Sequence, residues 1–217
     1  MIAFHPPIDA LVGLLGGLAA TFGWLWVLRR DRAGAWLIRA PKLGILNLLA
    51  TAGTAWAAED AGALVPFFDG VRESDATTPR CDVLMLYCDV AHDGTIVHDR
   101  RRLREIVRES KAQIVIVASP NVAADYMEAM RETGFGTANV VLTLDRKGPA
   151  FARFFVRLFE RMRAATPMPV AWVELQPQDA GAVRPEHPDL VCLMERGHVA
   201  FAPSSPDVVR RAGRSAA

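Results

Sequence analysis

Two residues able to do covalent chemistry stand just beyond apolar runs: His92, in the segment after DVLMLYC, and Ser119, directly after QIVIVA. An imidazole beside a hydroxyl can take its proton as the oxygen attacks a carbonyl, a base and a nucleophile working together. Ser119 also has a structural reading, because it precedes Pro120 and a serine at a helix start caps free backbone N–H groups. Asp89, Asp93 and Asp145 offer the oxygen ligands that a hard divalent cation takes, and single carboxylates in loops equally cap turns. His98, His187 and His198 have neither HxH nor HExxH spacing, so no metal is expected through histidine. The sequence holds no G-x-G-x-x-G and no P-loop, and no cofactor is expected.

The elements that must position these residues come from hydrophobic periodicity. Asp82–Cys88, Gln113–Ala118, Asn139–Leu144 and Val170–Leu175 are short, largely apolar runs of strand length. Helical patterns separate them: Asp99–Ser110, Asn121–Thr133 ending at Gly134, and Pro149–Ala165. In the last of these, Phe151, Phe154, Phe155, Leu158, Phe159 and Met162 form one stripe, with arginines largely outside it. Such a stripe is core packing, and the arginines are a solvated face. Alternation of this kind implies right-handed crossovers and an α/β fold with a mostly parallel sheet and helices on both faces. The expected order is βαβαβαβ followed by an antiparallel hairpin, Leu190–Met194 with His198–Ala202. Ligands of open parallel sheets bind beyond the carboxyl ends of the strands. That edge would gather Asp89, His92 and Asp93, then Ser119 and Asn121, then Asp145, Arg146 and Lys147, then Gln176 and Gln178. Asp89, Asp93, Asn121, Asp145 and Gln176 are the candidate ligand-binding residues, with His92 and Ser119 the candidate catalytic pair.

The chain has 217 residues and is 51% hydrophobic, but the apolar excess sits at the front. Residues 10–28 and 43–58 carry no charge. The first run, extended to residue 8, has the roughly 20 residues needed to cross a bilayer. Trp24 and Trp26 lie at its end, and Gly13 and Gly17 would let a second helix approach closely. Between the runs, Arg29, Arg30, Arg32, Arg39 and Lys42 face one acid, Asp31, which by the positive-inside rule keeps that loop cytoplasmic. Two spans would then send everything after residue 58 outward, as an inner-membrane protein with a periplasmic domain. The second run also has the make-up of a secretory signal cleaved near Ala57, which would leave a soluble periplasmic protein. A third arrangement is a buried helical hairpin in a soluble protein. The expected organisation is an anchor or signal over 1–58, a linker over 59–80, the α/β domain over 81–203 and a tail over 204–217. The partners implied are membrane lipid at the N-terminal helices and a protein partner of the domain. A net charge of +1 gives no reason to expect nucleic acid.

Three cysteines are too few for a disulfide framework and lack metal-ligand spacing. Cys81 and Cys88 would lie roughly 23 Å apart at the two ends of one strand, too far to bond. A Cys88–Cys192 bridge and buried free thiols both stay open.

The order of apolar strand, loop with His92, Asp93 and Gly94, helix, strand ending in VIVASPN, then NVVLTLDRKGPAFARFFVRLFERM resembles the caspase-like fold, in particular bacterial CHAT-type domains. The resemblance covers about residues 82–165. It implies a His-Gly after one strand, a nucleophilic cysteine at the end of the next, and a strand leading into a helix rich in aromatic residues. The sequence departs from that pattern at the decisive position: Ser119 stands where the nucleophile would, and Cys88 is on the other strand. A serine hydroxyl is far less ionised than a thiol. The sequence therefore favours a membrane-tethered or exported non-catalytic binding or interaction domain, with a His92/Ser119 hydrolase on a caspase-like scaffold as the alternative.

Overall fold

The computed structural model describes residues 36–49, 51–119, 138–145, 148–176 and 188–202. In chain order these form β1 (Trp36–Ile38), β2 (Lys42–Asn47), α1 (Thr51–Leu64), β3 (Gly70–Ser74), β4 (Val83–Tyr87), α2 (Leu103–Ser110), β5 (Ile114–Ala118) and β6 (Asn139–Asp145). They continue with α3 (Pro149–Arg163), α4 (Met168–Leu175), β7 (Asp189–Met194) and β8 (Val199–Phe201). A six-stranded sheet has the order β3-β2-β4-β5-β6-β7. Its strands run parallel except β7, which is antiparallel to β6 at the edge. The expectation of an α/β fold with a mostly parallel sheet holds.

Every residue of β4 (VLMLY) and of β5 (IVIVA) is buried, as unbroken apolar runs demand when both faces of a strand are covered. Their side chains divide by alternation. Val83, Met85, Tyr87, Ile114, Ile116 and Ala118 join the core that holds α3 and α4, whereas Leu84, Leu86, Val115 and Val117 meet Leu103, Ile106 and Val107 of α2. The aromatic stripe of α3 is the centre of the first core. Phe151 and Phe155 meet edge to face with ring centres 4.9 Å apart, and Phe154 meets Trp172 of α4 at 5.2 Å. Each arrangement sets the positive rim of one ring against the negative face of the other.

Four expectations are corrected. First, the charge-free run 43–58 is neither a second membrane helix nor a cleaved signal in this fold: it forms β2 and the first half of α1. Strand β2 lies between β3 and β4, with Leu43, Ile45 and Leu46 buried. A strand buried on both faces is as uniformly apolar as a membrane helix, so hydropathy alone does not separate the two. Second, residues 59–80 are not a linker, because α1 runs to Leu64 and β3 pairs with β2 from Gly70. The folded unit thus begins at Trp36 and not near residue 81. Third, 170–175 is helical; α4 starts after Pro167 and uses Pro169 in its first turn, where a missing N–H costs nothing. Fourth, β7 and β8 make no hairpin. β7 pairs with β6, while β8 pairs in parallel with β1 in a separate two-stranded sheet. Asn139 fixes this exit by donating to the Gly197 carbonyl at 2.8 Å and accepting from the Gly197 N–H at 3.0 Å.

The connection from β3 to β4 crosses the second face of β2 very closely. A Cβ on Gly44 would sit 2.6 Å from Cys81 Sγ and 2.9 Å from Pro79 Cγ, so β2 needs glycine at this crossing. Cys88 and Cys192 are free thiols belonging to opposite faces of the sheet, which closes the disulfide reading. The 8–28 run, the expected helix 121–133 and the 204–217 tail lie outside the described residues. No helix among the described residues is long and apolar enough to cross a membrane.

Candidate functional site

The chain leaves β2 through α1 toward β3 on one side, and leaves β4 through α2 toward β5 on the other. The two helices pack on opposite faces, so the strand order reverses between β2 and β4. Their carboxyl ends part there, at the topological switch point where open α/β sheets bind ligands. In register, Asn47 of β2, Tyr87 of β4 and Ala118 of β5 form one row at this edge. A crevice of about 420 Å³ opens beside it, lined by Asn47, Leu48, Leu49, Asp75, His98 and Asp99.

The walls are held by local bonds. Asn47 Oδ1 accepts the Leu49 N–H at 3.1 Å, a side-chain turn that redirects the chain out of β2. The Leu48 N–H donates to the Tyr87 carbonyl at 2.7 Å. Opposite, the guanidinium of Arg101 binds both carboxylate oxygens of Asp99, the Thr78 hydroxyl at 2.8 Å, Glu109 at 3.0 Å and the Ala76 carbonyl at 3.0 Å. One planar fork of donors therefore ties the β3–β4 connection, the loop after β4 and α2 together. The hydrogen bonds from Arg101 hold the Asp99 carboxyl below its usual range. His98 and Asp75 stay exposed at the mouth. On the far side of Arg101 a second depression of about 520 Å³ is edged by Arg80, Arg108 and Lys111.

Residues 89–102 form a compact loop. Val90 bridges Ile96, the Gly94 N–H donates to the Ala91 carbonyl at 2.8 Å, and Gly94 takes φ of 79° where a side chain would strain. Val90 and Ile96 are buried beneath it. His92 and Asp93 are consequently exposed. Asp93 Oδ1 accepts the Thr95 N–H at 3.0 Å, and that bond, first among the causes, lowers its carboxyl. Asp89 is half-buried at the start of the loop, with its carbonyl accepting the Val97 N–H at 3.0 Å. Ser119 is buried directly after β5.

The sequence-derived candidates thus divide. Asp89, His92, Asp93 and Ser119 follow two strands that are neighbours in the sheet, yet His92 is exposed and Ser119 is buried. Asp145 ends β6 opposite Asp189, beyond an irregularity in the pairing. Asn121 lies outside the described residues. Gln176 is corrected: it caps α4 and ends no strand, and its buried Nε2 has no hydrogen-bond partner among the described residues. No cluster of three or more His, Cys, Asp or Glu able to hold a metal occurs among the described residues. Asn47, Asp75 and His98 escaped sequence reasoning as ligand-binding candidates. Asn47 would have emerged had LGILN been read as a strand, because the carboxyl-end rule then points to it.

No thiol near this edge is primed for attack. Burial, then the negative charge of Asp89, pushes the Cys88 thiol far above its ordinary range, and burial pushes Cys81 and Cys192 up to about 12. In comparisons with known proteins, no protein-family model matches the chain and no curated protein matches it, so a functional reading rests on the geometry of the site.

Proposed function

We propose that this chain is a membrane-tethered, non-catalytic binding module, a relative of the caspase-like (CHAT-type) domains in which the nucleophile has been lost and the carboxyl edge of the sheet receives a ligand or protein partner. The observation that carries this reading is the burial of Ser119, the residue at the nucleophile position, while His92 is exposed. Two features support the kinship. The His92 loop and Ser119 leave adjacent parallel strands, and β6 leads into the aromatic helix α3. The crevice between β2 and β4 is open and polar at its mouth, with Asn47, Asp75 and His98 presenting amide, carboxylate and imidazole groups to a ligand. The tether is the apolar run over residues 8–28, charge-free from residue 10 onward and with Asp9 at its outer edge.

The test is hydrolysis. The full-length chain in detergent is offered a panel of activated esters and peptide amides, beside His92→Ala and Ser119→Ala variants. The expected result is no turnover above solvent that either variant removes. Equal loss of a real activity in both variants, with the fold intact, would overturn the binding reading in favour of a hydrolase.

A further inference from the structure

Placing residues 43–47 inside the sheet changes which side of the membrane the domain occupies. Both outward readings used the 43–58 run, as a second span or as a cleaved signal, and that run is β2 and the first part of α1 of the folded domain. One run of spanning length is left in the sequence, over residues 8–28. Its flanks are unequal. Residues 1–9 contain no Arg or Lys and one acid, Asp9, whereas the residues after it include Arg29, Arg30, Arg32 and Arg39 against Asp31 alone. Basic residues close to a span end are retained in the cytoplasm. The domain follows them with no further apolar run between, and so lies on their side of the membrane.

The surface that begins the domain suits the same boundary. Trp36 and Leu37 of β1 are 52% and 54% exposed, although Ile38 beside them is buried. The guanidinium of Arg196 lies 4.1 Å from the centre of the Trp36 ring. Arg39 is exposed just after the strand. An indole next to cations is the pairing that settles at lipid headgroups, the ring among the glycerol groups and the guanidinium on phosphate. Only residues 29–35 separate the apolar run from Trp36, a reach of about 28 Å at full extension. Resting on the proposed tether, we infer that the domain lies in the cytoplasm, with Trp36 and Leu37 of β1 seated on the anionic inner leaflet of the membrane that residues 8–28 cross.

The experiment has three readouts on the full chain produced in a bacterium. Alkaline washing of membranes tests the tether: extraction into the wash removes both the tether and this inference. Fusions of green fluorescent protein and of alkaline phosphatase after Ala217 then test sidedness. A fluorescent first fusion and an inactive second are expected; an active phosphatase on a wash-resistant chain overturns the cytoplasmic placement and leaves the tether standing. Finally, Leu37→Cys and Val97→Cys carry an environment-sensitive dye in vesicles containing phosphatidylglycerol. A blue shift at position 37 that position 97 lacks supports the seating of β1, and equal spectra overturn it.

Discussion

The Tyr87 hydroxyl, at the carboxyl end of β4, donates a 2.7 Å hydrogen bond to the carboxylate of Asp60 on α1, and both residues are buried. The bond links the strand on one side of the switch point to the helix that leaves the other. Removing it takes away a buried hydrogen bond to a carboxylate, which costs about 1–3 kcal/mol. Tyr87→Phe should therefore lower the free energy of unfolding by that amount, moving the urea midpoint down without changing the slope. Asp60→Asn keeps an acceptor for the hydroxyl and should lose less. A Tyr87→Phe variant as stable as the parent would show that the bond adds nothing to the fold.

Arg101 and Asp99 make a pH-dependent contribution at the crevice wall. The Asp99 carboxyl is lower in the folded chain than in the unfolded one, because Arg101 donates to its charged form. The stabilisation is therefore present above about pH 4 and lost as pH falls through the lower folded value. The Arg101 and Asp99 side chains are 26% and 14% exposed, so solvent still reaches the pair and its contribution is about 1 kcal/mol. Urea melts of the parent and of Arg101→Ala should differ at pH 7 and converge toward pH 3. A gap that stays constant with pH would assign the effect of the substitution to lost packing alone.

How much of this was legible in the residues depended on which signal each stretch carries. DVLMLYC, QIVIVA and NVVLTL announce strands because nothing else so short and apolar lies between amphipathic helices. The stripe from Phe151 to Met162 announces α3 by its period. LGILN failed because a doubly buried strand and a lipid-facing helix satisfy the same hydropathy. VAWVEL failed because a short apolar helix packed on another helix has no polar face to reveal its period, and α4 touches α3 and β8. The site suffered from the first failure. With β2 misassigned, the strand order could not be written and its reversal between β2 and β4 was invisible, so Asn47, Asp75 and His98 had no reason to be grouped.

The thiols offer a check on the absence of a cysteine nucleophile. With Cys81 and Cys192 pushed up to about 12, roughly one thiol in ten thousand is ionised at pH 8, and Cys88 is ionised less. Only the thiolate reacts with iodoacetamide, so the native chain should gain almost no label over the time in which the urea-unfolded chain gains three. Mass spectrometry of the intact chain counts the adducts. Rapid single labelling at Cys88 in the native state would identify an activated thiol and reopen the catalytic question.

Thr143 provides a separate test of the sheet edge. It lies on β6 opposite Leu190, fully buried, and its hydroxyl has no hydrogen-bond partner among the described residues. A buried hydroxyl in that state keeps its desolvation cost without compensation, whereas valine fills nearly the same shape with no polar atom. Thr143→Val should consequently raise stability by about 1 kcal/mol in a urea melt. If this hydroxyl instead serves a ligand over the carboxyl edge, the same variant gains stability in the free chain and loses the rise in melting temperature that a bound ligand confers. A loss of stability in the ligand-free chain would contradict both roles, because it would mean that the hydroxyl already has a partner inside the fold.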